Sequence, residues 1–66
     1  MLRERYLIEI GRIVSKIVTE RGVSEEEVME RARRALGLKG KKPEEMSPIE
    51  LDRLLEWLKK EIKEEV

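Results

Sequence analysis

Five residue types are missing from this chain: Cys, His, Asn, Gln and Phe. Without Cys no disulfide can staple a small fold. Without Cys or His there is no zinc site of the usual kind, so we expect no metal and no cofactor. Nucleophilic catalysis loses both the thiol and the commonest general base, and none of the three serines has a candidate base near it in sequence. No apolar run approaches the roughly 20 residues that span a bilayer. The start, "MLRERYLIEIGRIV", opens basic, but Glu9, Arg12 and then Lys16 interrupt any signal-peptide core. We therefore expect a soluble chain with no targeting signal, cytoplasmic if expressed in a cell. Net charge is missing too: Lys plus Arg and Asp plus Glu number 15 each. No overall field would draw the chain to nucleic acid or to an anionic membrane.

What is present is helix-forming. The 66 residues allow one domain, 1–66, and a thin core. A chain this short buries only about 60% of its unfolded surface, so local signals have to agree with the fold. Every acid but Asp52 is Glu, and Lys, Arg, Glu and Leu dominate. Two histories produce such a composition. A hyperthermophile avoids thermolabile Asn, Gln and Cys and multiplies ion pairs. Computational design fills helix surfaces with Glu and Lys.

Apolar spacing predicts three helices. The first covers about residues 2–21, with Leu2, Tyr6, Leu7, Ile10, Ile13, Val14, Ile17 and Val18 on one broad face and Gly22 as its terminator. The second covers 24–36. Ser24 is its N-cap, Glu27 closes a capping box, and Val23 staples to Val28. Val28, Met29, Ala32, Ala35 and Leu36 form its stripe, and Gly37 ends it. The third covers 48–65, with Ser47 as cap, Pro48 in the first helical position, Glu50 closing the box, and Met46 stapling to Leu51. Leu51, Leu54, Leu55, Leu58 and Ile62 line its apolar side. The connection between the second and third helices is long, and a helical turn could form at 43–46. Three stripes with no other partner bury against one another, so the expected fold is an all-α small three-helix bundle.

The stretches "GVSEEEV", "MSPIEL" and "LLEWLKKEIKEEV", with the missing residue types, resemble de novo designed helical miniproteins. The resemblance covers most of the chain and is one of style, so it carries no site residues. It implies a thermostable helical bundle whose role is structural. Two features depart from the most regular of such designs: the long connection from Gly37 to Ser47, and Gly11 inside the first helix.

The basic end is the first candidate site. Arg31, Arg33, Arg34, Lys39, Lys41 and Lys42 are six cations with no acid between them, around "GLKGKK". Glycine lets backbone amides approach phosphate and lysine neutralises it, so these residues are the phosphate-binding candidates. G-x-x-G spacing is shared with KH-type RNA-binding loops, but those need a sheet, and none is visible here. The plainer account is that Gly37 ends a helix, Glu27–Arg31 and Glu30–Arg34 pair along it, and the lysines face water. We take the plainer account. The third helix is net acidic, which a recognition helix in a DNA groove is not.

Carboxylates are plentiful, yet each Glu falls on a polar face or in a cap. General acid–base work needs a carboxyl whose surroundings shift its pKa. No enzyme activity is expected.

The remaining candidates concern a partner. Ile8, Gly11, Ser15 and Val18 form a second stripe on the flank of the first helix. Gly11 in a helix interior costs roughly 1 kcal/mol relative to Ala, which suggests that another backbone comes close. The simpler source is a crossing by the second or third helix; the alternative is a second molecule in a symmetric dimer. Trp57 lies roughly 60° off the leucine stripe of the third helix. It is expected to cover the long loop over Leu38 or Pro43, or else to stand exposed as an anchor for a partner. The leading expectation is thus a non-catalytic designed scaffold that requires no partner. A protein-interaction module or homo-oligomer using Ile8, Gly11, Ser15, Val18 and Trp57 is the alternative, and a nucleic-acid-binding domain the second.

Overall fold

The first helix, α1 (Arg3–Arg21), starts without a side-chain cap at Leu2. Its cohesion comes from its apolar side: Ile10, Ile13, Val14 and Ile17 are buried. At Gly22 the chain turns left-handed, with φ 67°, and the Gly22 N–H returns to the Val18 carbonyl. Three residues later α2 (Glu25–Leu36) begins, capped by the Ser24 hydroxyl, which accepts from the Glu27 N–H at 3.1 Å. Gly37, φ 71°, ends α2. There the Leu38 N–H reaches the Arg33 carbonyl and the Gly37 N–H reaches Arg34, a Schellman closure. A 3-10 turn, Pro43–Glu45, follows, and then α3 (Pro48–Glu61). The computed structural model describes residues 2–62, so positions 63–65 of the expected third helix lie outside the described residues. Among the described residues there is no strand, and the fold is a small all-α three-helix bundle.

The long connection is organised and not slack. The Lys41 N–H closes a turn onto Leu38, and the Lys42 N–H donates to the Glu45 carboxylate at 2.9 Å across the 3-10 turn. Met46 leaves that turn fully buried and meets the base of α3. Ser47 and Glu50 then exchange both bonds of a capping box. The helical turn expected at 43–46 is thus a 3-10 turn one residue shorter.

Among the described residues eleven close the core, Met46 together with positions from all three helices, and none of them is polar or charged. The leucines of α3 (Leu51, Leu54, Leu55, Leu58) form its centre. α1 lies along α3 in the same direction. At one end Arg3 donates to the Glu44 carbonyl. At the other, Arg21 bonds the Glu61 carboxylate at 3.0 Å and its carbonyl at 2.6 Å. The backbone spans 28 × 27 × 16 Å, so the helices form a flat disc and not a rod. Two expectations about the stripes change. Ala35 is exposed, because it turns past the edge of the α2 stripe. Leu2 is 76% exposed, because it precedes the helix and points away from the core.

Candidate functional site

The six cations of the basic end do not converge. Successive helical residues are turned about 100° apart, so Arg31 and Arg33 leave α2 on opposite flanks. Arg31 faces Trp57 and Glu61, while Arg33 turns toward Pro43 and Glu44. Arg33 donates to the Lys41 carbonyl and holds the loop to the helix. Arg34 pairs with Glu30 at 3.3 Å, as expected from their i,i+4 spacing. The other expected pair, Glu27–Arg31, is not within ion-pair distance among the described residues. Lys41 is not simply solvated: its ammonium meets the Glu50 carboxylate at 2.8 Å. Lys39 and Lys42 remain on the exposed loop, and Lys39 shares a shallow depression with Arg34 and Glu30. A phosphate approaching there meets a carboxylate among the cations.

Capping differs between the two helices. Glu50 performs three tasks. One oxygen accepts from Ser47 N–H, the other binds Lys41, and its own N–H is capped. The hydrogen bond from Lys41, then the bond from the Ser47 backbone, hold its carboxyl below the usual Glu range. Glu27, expected to do the same for α2, instead borders a small pocket with Arg21 and Arg31. Only the Ser24 half of that capping box is made.

Trp57 is not over the long loop. It is half-buried against the core at the opposite end of the molecule, beside Ile17, Val23 and Val28. The reason is distance along the helix: at about 1.5 Å per residue, ten residues carry Trp57 roughly 15 Å from Ser47. Leu38 and Pro43 are half-buried without it. Trp57 therefore seals the α1–α2 turn, and the Val23–Val28 staple is part of what it covers.

The flank of α1 also departs from the simpler expectation. Neither α2 nor α3 crosses at Gly11: a Cβ built there meets nothing within 4 Å. Gly11 and Ser15 are exposed and Ile8 is 65% exposed, while only Val18 packs onto the core. Beside Gly11 an open groove runs between α1 and α2, with Leu7, Val14, Met29 and Pro43 among its walls. Ile49, on the outer side of α3, is 70% exposed as well.

A further polar pairing, between α1 and α3, was not foreseen from the sequence. Tyr6, half-buried on α1, lies beside the carboxylate of Asp52 on α3. Burial first, and then the neighbouring Asp52 charge, push the phenol above its ordinary value. The lone aspartate was a signal that could have found it: where every other acid is Glu, a short side chain fits a close pairing.

Among the described residues no three metal-ligating side chains come together, and no helix is long and apolar enough to cross a membrane. The architecture defines the class, a small all-α three-helix bundle. No family model matches the chain, and no curated protein or solved structure matches it either.

Proposed function

We propose that this chain is a non-catalytic helical scaffold of designed origin, whose role is the shape it holds. One observation carries the reading: among the described residues the core is wholly apolar, and its buried side chains leave no polar atom without a partner. The supporting features agree at every level. Both interior helix starts carry a working serine cap, and both interior helix ends turn on a left-handed glycine. Such agreement between local signals and tertiary packing is what lets a short chain specify one structure. The shift at Glu50 favours its charged form, which suits an ion pair and a cap and not a proton donor at neutral pH.

Thermal unfolding followed by circular dichroism tests the proposal. The expected result is a single cooperative transition above the mesophile range of about 45–65 °C. A midpoint inside that range would count against a designed scaffold, as would turnover of any ester or glycoside that is lost on replacing one carboxylate.

A further inference from the structure

We propose that α2 is a lid, which opens as a unit while α1 and α3 stay clasped to each other. The division of the core leads there. α1 buries Ile10, Ile13, Val14 and Ile17, and α3 buries four leucines. α2 buries a valine and an alanine, Val28 and Ala32, and its Met29 and Leu36 are half-buried beside them. Hydrophobic stabilisation follows the apolar area removed from water, so α2 is the helix held least. α1 and α3 also touch along more of their length than either does with α2.

Polar bonds divide the same way. Arg21 grips the carboxylate and the carbonyl of Glu61, and Arg3 holds the Glu44 carbonyl, so the α1–α3 pair is tied at both ends. Among the described residues no hydrogen bond or ion pair runs from an α2 side chain to α1 or α3. Arg34 bonds Glu30 within α2, the Ser24 cap is local to it, and Arg33 reaches the loop carbonyl of Lys41. Parting α2 from the pair therefore costs apolar contact and leaves no buried polar group stranded. Left-handed glycines, Gly22 and Gly37, bracket the helix. Glycine takes either sign of φ with little penalty, so both ends can turn. Free of its partners, a helix of 12 residues is marginal in water, so lifting melts it and exposes its amides. The open form bares Ile17 and Trp57, which Val28 meets in the closed one. Because that form is rare, unfolding of the whole chain still shows one cooperative transition.

Ile13 separates lid from clasp. It is fully buried and leaves α1 about 20° from Tyr6, on the side of α3, and about 100° from Val14, which borders α2. Native-state hydrogen exchange, read amide by amide by NMR, tests the lid. In the unaltered chain, amides 29–35 of α2 should exchange at least ~10-fold faster than the slowest amides of α1 and α3, after correction for intrinsic rates. Their opening should also respond less to denaturant, because it exposes less surface than global unfolding. Ile13→Val should speed the slowest α1 and α3 amides roughly 3–10-fold. The α2 amides should keep their rates in that variant, since the contact it weakens persists in the open form. Equal protection of the three helices overturns the proposal. An equal acceleration of all amides in Ile13→Val also overturns it, because α2 would then open only when the whole chain unfolds.

Discussion

At the residue scale, Gly11 separates a local cost from its cause. Its position in a helix is legible in the sequence, and so is the penalty. What removes the in-chain explanation is the placement of α2, which passes beside Leu7 and Val14 and leaves Gly11 uncovered. A methyl group at this position meets open space, so Gly11→Ala should stabilise the single chain by about 0.5–1 kcal/mol. Denaturant unfolding measures this. A loss of stability there would show that the space above Gly11 is filled. Glu50 supplies a second residue-scale prediction. Its folded pKa lies below the ordinary 4.5. Its contribution is therefore complete above that value and is lost as pH falls through the folded pKa. Glu50→Gln keeps an oxygen for the Ser47 N–H and removes the attraction to Lys41. The variant should lose less stability than the unaltered chain between about pH 5 and pH 2, read as the change in denaturation midpoint. An identical acid slope in both would place the pH dependence elsewhere.

The elements were the most legible part of the fold, because their ends are written in single residues. Ser24, Ser47, Pro48, Gly22 and Gly37 each mark a boundary that the structure respects to within a residue. The connections between elements were less legible. The 3-10 turn at Pro43–Glu45 forms because Glu45 can reach back to the Lys42 N–H, a choice that competes with free solvation and leaves little trace in composition. Glu27 and Glu50 occupy equivalent places in sequence and do different things. Lys41 draws Glu50 inward, whereas Glu27 stands on the flank that carries Arg21 and Arg31. This difference predicts unequal caps. Ser47→Ala removes one half of a reciprocal pair that also anchors Lys41, while Ser24→Ala removes a single bond. Each should cost about 0.5–2 kcal/mol, with Ser47 the larger. Chemical denaturation of the two variants decides it, and equal losses would mean that the reciprocal bond from Glu50 adds nothing.

At the scale of the whole molecule, three apolar stripes were enough to foresee a bundle and not enough to foresee its shape. Helical periodicity fixes which side of each helix is buried; it does not fix the direction in which the sides meet. Trp57 shows the consequence. Its angle off the leucine stripe was readable, but the surface it covers depends on α1 lying along α3 so that Ile17 and Arg21 reach its level. In a flat disc 16 Å thick there is one layer of side chains between the helices, and Leu54 sits in it with no exposure. Few neighbours can collapse into a gap there. Leu54→Ala should then cost about 2–5 kcal/mol. For a domain of this size each kcal/mol lowers the melting midpoint by roughly 4–8 °C, so the fall should exceed about 8 °C. Ile8→Ala, on the exposed flank of α1, should alter the single chain by no more than about 0.5 kcal/mol. Thermal melts of the two variants side by side test whether stability resides in the shared layer or is spread over the outer faces. Comparable losses would mean that Ile8 packs against something that the bundle alone does not provide.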